Sequence, residues 1–314
     1  MTAALVTGVG GYVGGRLVKA LLPAGWEVRG ISRDPVPRLD IETTVLDLTT
    51  AERSDLVASC RGADVVVHLA GENEVKAARA PAATMAATSV ATERIAEAAA
   101  EAGIGRFVYM STIHVYGARI EGGQTLTEDM RPEPRASYAI ARLASEHLAA
   151  GIARDAFELV VLRLSNSIGA PDDPGVERWT LLANDLCRQG ARDGRLELRT
   201  SGVQWRDFIT LEDVCEIVAA SSSPGGSVPS GTYNLASGAS TTVRGLAGVV
   251  QDAFASIDGS RPELVAPDPE GPGPDPYRVS VDRLASCGLR ATRSLESAVE
   301  ETVRFCLEHR GELP

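Results

Sequence analysis

The chain has 314 residues, with 31 Lys and Arg against 42 Asp and Glu, giving a formal net charge of −11. That balance argues against a nucleic-acid binder, which needs a basic face for the phosphates, and against adhesion to anionic lipid. Hydrophobic residues make up 44% and aromatics only 4%, so the length holds about two domains with cores built mainly of Ala, Val and Leu.

The N-terminal apolar run Ala3–Val6 lacks a basic flank and passes straight into glycines, unlike a signal peptide. No stretch approaches the roughly 18 consecutive apolar residues of a membrane span. The five cysteines (Cys60, Cys187, Cys215, Cys287, Cys306) are scattered without a CxxC, and no two histidines form an HxxxH pair. Free thiols, no metal centre and a cytoplasmic location are therefore expected.

In chain order, Ala3–Thr7, Val28–Ile31, Thr44–Leu46, Val65–Leu69, Phe107–Met110 and Leu159–Leu162 read as buried strands. Between them, Gly14–Leu22, Thr84–Ala102 and Ser137–Ala153 read as helices. This alternation predicts an α/β protein with a Rossmann-type doubly wound parallel sheet, whose ligands bind beyond the carboxyl ends of the strands. After Leu164 the rhythm breaks at Pro171–Pro174, Pro224–Ser230 and the Pro/Gly-rich stretch 270–276. Tyr233–Leu235 reads as one more strand and Leu295–Leu307 as a C-terminal amphipathic helix. The expectation is a Rossmann domain over residues 1–165 and a smaller interleaved C-terminal substrate lobe over 166–314. Segments near 205–222 and 232–236 are expected to return to the main sheet.

The run Thr7–Gly14 (TGVGGYVG) follows the first strand and opens the first helix through Tyr12 and Val13. Gly8 suits the tight turn, Gly11 lets backbone approach a pyrophosphate, and Gly14 allows the helix to lie close to the strand. The helix N-terminus favours the anion. An NAD site usually carries an acid about 20 residues past the glycines, for the ribose 2′-hydroxyl. Here that slot is Ser32, followed by Arg33, a guanidinium that can grip a 2′-phosphate. NADP is therefore favoured, with NAD as the alternative and a solvated Arg33 beside Asp34 as the bland reading. Asp47 and Leu48 either touch the adenine or simply turn the chain.

Ser111–Gly117 (STIHVYG) follows the fifth strand, and Tyr138 lies 26 residues after Thr112 with Arg142 one helical turn on. Hydride chemistry at a carbinol needs a proton donor and acceptor beside the carbon. A phenol serves near neutrality only if a nearby cation pulls its pKa down from about 10. Positions i and i+4 share a helix face, so Tyr138 and Arg142 supply phenol and cation, and a Ser or Thr hydroxyl from the run can bond the same substrate oxygen.

With these motifs in hand, the chain resembles the extended short-chain dehydrogenases/reductases, the NAD(P)-dependent epimerase/dehydratase group acting largely on nucleotide sugars. The resemblance spans almost the whole sequence: the glycine run, Asp47–Leu48, His68–Gly71 (HLAG), STIHVYG, Tyr138, Arg163–Gly169 (RLSNSIG), Arg206–Ile209 (RDFI), Thr232–Leu235 (TYNL) and Cys287–Gly288. It implies that Leu69, Ala70 and Gly71 join the dinucleotide site, that Thr112 and Tyr138 are catalytic, and that Ser111, His114, Asn166 and Arg206 face the substrate. Asn166 and Arg206 match positions that hold a diphosphate. On the residues alone, Asn166 is equally a cap or turn residue, and Arg206 a partner of Asp207 or Asp213.

The departures from the family pattern are specific. Arg142 replaces the family lysine and keeps the charge, but it is longer and forked, so it either reshapes catalysis or weakens it. Ile113–His114 stands where sugar-nucleotide dehydratases carry an acid, which disfavours loss of water. Thr88 stands where Asn is common, and the loop at 272–275 lacks an Arg often seen there. An epimerase or 4-ketoreductase of a nucleotide-activated sugar is the expected activity. An NADP-dependent reductase of a non-sugar ketone, or a catalytically weakened dinucleotide-binding regulator, is the alternative. The alanine-rich helices 84–102 and 137–153 imply, by the same resemblance, a homodimer.

Overall fold

The computed structural model describes residues 2–314 except Glu121, Asp155 and the side chain of Ala118. The first half alternates strand and helix: β1 (Ala3–Thr7), α1 (Tyr12–Leu21), β2 (Glu27–Ser32), β3 (Glu42–Val45), α2 (Arg53–Cys60) and β4 (Val65–His68). Three helices follow, α3 (Glu74–Arg79), α4 (Pro81–Met85) and α5 (Ala91–Glu101), then β5 (Arg106–Thr112), the short β6 (Thr125–Leu126), α6 (Ser137–Ala153) and β7 (Glu158–Leu164). The second half carries β8 (Asn166–Ile168), α7 (Leu182–Asp193), β9 (Arg195–Glu197), β10 (Trp205–Thr210), α8 (Leu211–Ser222) and β11 (Gly231–Leu235). It ends with β12 (Ser240–Thr242), α9 (Val243–Ile257), β13 (Glu263–Val265), β14 (Arg278–Val279), α10 (Asp282–Ser286) and α11 (Leu295–Glu308).

Seven strands form one parallel sheet in the order β11-β7-β5-β4-β1-β2-β3. The period-2 alternation of each strand decides its two faces. Ala4, Val6, Val65, Val67, Val108 and Met110 pack with Leu17 and Val18 of α1 and with Val214 and Val218 of α8. Leu5, Val66, Phe107 and Tyr109 pack on the other face with Leu56 of α2, Ile95 of α5 and Ala149 of α6. The fold is thus the doubly wound α/β sheet that the strand rhythm implies. Strand order reverses between β1 and β4, and such a reversal opens a crevice at the carboxyl ends.

The stretch 84–102 is helical as the sequence implies, though the helix starts at Pro81 and passes through a π-helical turn at Ala86–Val90 between α4 and α5. Ser89 Oγ donates to the Met85 carbonyl at 2.5 Å and Thr92 Oγ1 to the Thr88 carbonyl at 2.7 Å, back-bonding that bends a helix. One reading needs correction: the segment near 205–222 returns only in part. Its helix α8 packs on the main sheet, but β10 pairs with β8 and β12 in a separate three-stranded sheet. The free edge of β7 is taken instead by β11. The buried Asp207 carboxylate anchors β10 there, accepting from Ser165 Oγ (2.6 Å), Ser237 N (3.0 Å) and Gly238 N (2.8 Å). A second core among α7, α9 and α11 completes the smaller lobe. Among the described residues, no helix is long and apolar enough to cross a membrane.

His68, at the end of β4, is fully buried and ties three elements together. Its Nδ1 lies 2.7 Å from Thr7 Oγ1 and its Nε2 3.0 Å from Thr92 Oγ1. Because Thr92 gives its proton to Thr88, a neutral imidazole protonated on Nε2 satisfies every bond. Burial, reinforced by the Arg142 charge, lowers the imidazole pKa from 6.5 to about 3. Between those two values the unfolded chain binds one proton more than the folded one, so stability falls as pH drops through that window. The slope from this residue is about 1.4 kcal/mol per pH unit. Thermal melts of the wild type and His68→Gln from pH 7 to pH 4 are expected to show a shallower pH dependence in the variant. Parallel curves would refute the assignment.

Candidate active site

A groove of about 620 Å³ opens at the carboxyl ends of the sheet, over the reversal between β1 and β4. Every residue expected to touch a dinucleotide lines it, from Gly8 through Ser32, Arg33, Asp47, Leu48 and Leu69–Gly71 to Tyr138 and Arg142. The glycine turn is built by sterics. Gly8 holds φ +74°, and a Cβ on Gly14 would stand 2.2 Å from the Gly8 carbonyl oxygen, so α1 approaches the turn only without a side chain there. Gly11 begins α1 with no side-chain cap, and no acidic residue occupies the first turn. The free amides at that helix end suit an anion, so the donors fit a dinucleotide pyrophosphate.

The end of the groove at β2 and β3 is charged. Arg33 does not stand free beside Asp34: its Nη1 donates to Glu72 Oε1 at 2.8 Å across the groove. Asp47 accepts from Thr49 Oγ1 (2.6 Å) and Thr49 N (2.8 Å), a turn-forming arrangement that lowers its pKa. Arg38, absent from the sequence reading, bridges the Gly10 carbonyl (3.0 Å) and the Asp172 carboxylate (2.7 Å). Its partner lies 134 residues away in sequence. No local pattern signals such a pair.

Tyr138 and Arg142 of α6 and Ser111 of β5 also line the groove. Arg142 is buried, with its Cζ 5.5 Å from the Tyr138 ring centroid and Nη1 donating to the Met110 carbonyl at 3.0 Å. Burial opposes its charge, but the phenols of Tyr109 and Tyr138 outweigh that and raise its pKa, so it is a fixed cation. Its Nε and the Tyr109 hydroxyl are buried without partners among the described residues. The guanidinium fork packs against Gly71, where a Cβ would come within 2.8 Å of Nη2.

Ser111 Oγ donates to Glu146, whose carboxylate accepts from Arg163 Nη2 at 2.7 Å and Nε at 3.1 Å. Arg163 also donates to the Tyr116 hydroxyl (3.1 Å), which donates to Asn234 Oδ1 at 2.7 Å. Sequence reasoning missed this chain. Its signal was available: Glu146 lies one turn beyond Arg142 and two beyond Tyr138 on α6.

The remaining expected residues do not line this groove. Thr112 is buried at the end of β5, and its Oγ1 accepts from the His114 backbone N–H at 3.2 Å. His114 is exposed. Desolvation lowers its pKa, aided by the Arg206 charge and opposed by Glu74. Asn166 Nδ2 donates to the Asp207 carbonyl at 2.8 Å, stitching β8 to β10. Arg206 pairs with neither Asp207 nor Asp213. It donates to the Trp205 carbonyl at 2.8 Å, and among the described residues it has no carboxylate partner. No cluster of three or more His, Cys, Asp or Glu side chains is arranged among the described residues to hold a metal.

Comparison with known proteins fits this geometry. A family model described as the NAD dependent epimerase/dehydratase family matches residues 4–236. A dTDP-glucose 4,6-dehydratase of Streptomyces antibioticus is 29% identical, covering 98% of this chain and 93% of its own. A GDP-6-deoxy-D-mannose reductase of Pseudomonas aeruginosa is 31% identical over 79% of this chain and 78% of its own. The solved structure of MoeE5 in complex with UDP-glucose and NAD superposes with a TM-score of 0.81 at 25% identity, covering 98% of this chain and 99% of that one. The argument against a dehydratase finds no support here, since a dehydratase matches nearly end to end.

The Glu146–Arg163 pair is almost fully buried, its side chains 7% and 6% exposed. Removing one partner strands a charge, so Arg163→Met is expected to cost about 3–5 kcal/mol in urea unfolding. The double variant Arg163→Met/Glu146→Leu should recover much of that loss. Additive costs in this cycle would refute the coupling.

Proposed function

The chain belongs to the NAD dependent epimerase/dehydratase family, and on that premise we propose that it is a hydride-transferring enzyme acting on a nucleotide-activated sugar, as a 4-ketoreductase or an epimerase. The observation that carries this reading is that the Tyr138–Arg142 pair and Ser111 line the same groove as the glycine turn. A bound nicotinamide dinucleotide supplies the hydride acceptor or donor. Gly8, Gly11, Tyr12, Val13 and Gly14 would hold its pyrophosphate, and Leu69–Gly71 and Arg142 its neighbouring groups. Tyr138 gives its phenolic proton to a carbonyl oxygen during reduction and takes it from a hydroxyl during oxidation. Arg142, a permanent cation, stands beside the phenol, with Cζ 5.5 Å from the Tyr138 ring centroid. Thr112, expected to orient the same substrate oxygen, does not line the groove, so that part falls to Ser111, which does. Arg206, lacking a carboxylate partner among the described residues, offers its guanidinium to a diphosphate, with His114 and Asn166 beside it.

Arg33 at the end of β2 supports NADP as the preferred dinucleotide, with NAD as the alternative. A second reading, a weakened dinucleotide-binding protein, is favoured by one contact. Arg142 Nη1 is committed to the Met110 carbonyl, which leaves the guanidinium less free than a lysine ammonium.

Tyr138→Phe is expected to lower kcat by a factor of about 10² to 10⁴ while leaving dinucleotide affinity nearly unchanged. Thermal-shift titration with NAD, NADP and a panel of UDP-, dTDP- and GDP-sugars is the companion test, since ligands that bind only the folded state raise the midpoint. A dinucleotide shift with no response to any nucleotide sugar would sink the substrate assignment and favour a non-sugar ketone. Absence of turnover in both the wild type and Arg142→Lys would favour the weakened reading.

A homodimer formed through α5 and α6 is part of this proposal. Val90 in the turn before α5 and Ile140 on α6 are among the few large hydrophobic side chains left exposed. Ile140→Glu is expected to convert the dimer to a monomer in light scattering. An unchanged mass would place any interface elsewhere.

A further inference from the structure

Glu72 follows Gly71 just past the end of β4 and faces the end of β2 across the groove. Its carboxylate accepts from Arg33 Nη1 at 2.8 Å and lies 3.6 Å from Lys76 Nζ. The Glu72 side chain is only 14% exposed, whereas Arg33 is 57% exposed. Its backbone N–H donates to Thr88 Oγ1 at 3.3 Å, in the π-helical turn, which fixes the carboxylate's origin. One well-shielded acid thus serves as counter-ion to two cations on the rim.

We infer that Glu72 is a specificity-determining residue that weakens the preference for a 2′-phosphorylated dinucleotide by occupying Arg33. The inference rests on the reading that Arg33 is the contact for the 2′-phosphate. A ribose 2′-hydroxyl leaves the Arg33–Glu72 pair intact. A 2′-phosphate brings roughly −1.5 to −2 charges and must draw Arg33 away from its carboxylate. It would then sit near an acid that solvent screens poorly, where like charges repel more strongly than in water. Arg33 alone would predict strong selection for NADP. Arg33 neutralised by Glu72 predicts that NAD and NADP compete on closer terms.

The test is calorimetric titration of the full-length protein with NAD and with NADP, a readout independent of turnover. Glu72→Gln keeps the shape and removes the charge, so NADP affinity should rise about three- to tenfold while NAD changes by less than about twofold. Glu72→Ala repeats the measurement should the amide find a new partner. Glu74→Gln is the charge control, because Glu74 pairs with Arg178 at 3.1 Å and not with Arg33. The NADP-to-NAD ratio should not move in that variant.

An equal shift in Glu74→Gln would overturn the inference in favour of a general charge effect. An unchanged ratio in both Glu72 variants, with NADP affinity lost in Arg33→Ala, would overturn it while leaving the Arg33 assignment intact. Wild-type NADP affinity in Arg33→Ala would overturn both. Failure of the wild type to bind either dinucleotide would overturn the proposed function itself.

Discussion

The active site hangs on one buried ion pair. Arg163 on β7 and Glu146 on α6 meet through two hydrogen bonds where water is nearly absent. Neither charge is tolerable there alone, so their contact helps set how α6 sits on the sheet. The same two side chains hold Ser111 on β5, Tyr116 past its end and, through that hydroxyl, Asn234 on β11. Asn234 in turn donates to the carbonyls of Leu126 and Ser280. A chain of polar contacts thus runs from α6 across the sheet to the C-terminal segment, and Tyr138 and Arg142 ride on the helix it positions.

The global charge of −11 and the local chemistry point in opposite directions, and distance reconciles them. Beyond about a Debye length, some 8 Å at physiological salt, the acidic surface is screened from a ligand in the groove. Within that range the groove is lined by the start of α1, Arg33, Arg38 and Lys76, each cation already facing a carboxylate. The groove is close to a balanced salt lattice, so the count of basic residues is a poor guide to its local charge.

Much of this was legible in the sequence because it obeys short-range rules. Strand alternation placed the main sheet, glycines at positions 8, 11 and 14 placed the groove, and a four-residue interval placed Arg142 beside Tyr138. What escaped depends on contacts without a local signature. The Arg38–Asp172 and Arg33–Glu72 pairs join loops that only the folded sheet brings together. The sheet chosen by β10 was decided by competition for one free edge, which β11 occupies. The π-helical turn between α4 and α5 is accompanied by back-bonding hydroxyls at positions 89 and 92, which a helical period does not register.

Gly14 and Gly15 stand side by side, yet they answer to different parts of the molecule. Gly14 is small because the phosphate-binding turn lies against it, whereas a Cβ on Gly15 would come within 2.3 Å of the Asp172 carboxylate that Arg38 fixes in place. The second glycine therefore belongs to the docking of the loop after β8 and not to nucleotide recognition. In relatives whose loop carries a smaller residue at the position of Asp172, the constraint on position 15 lapses. Alanine can then occur there with the nucleotide site unaltered, so covariation between positions 15, 38 and 172 would report how the second lobe is seated on the first.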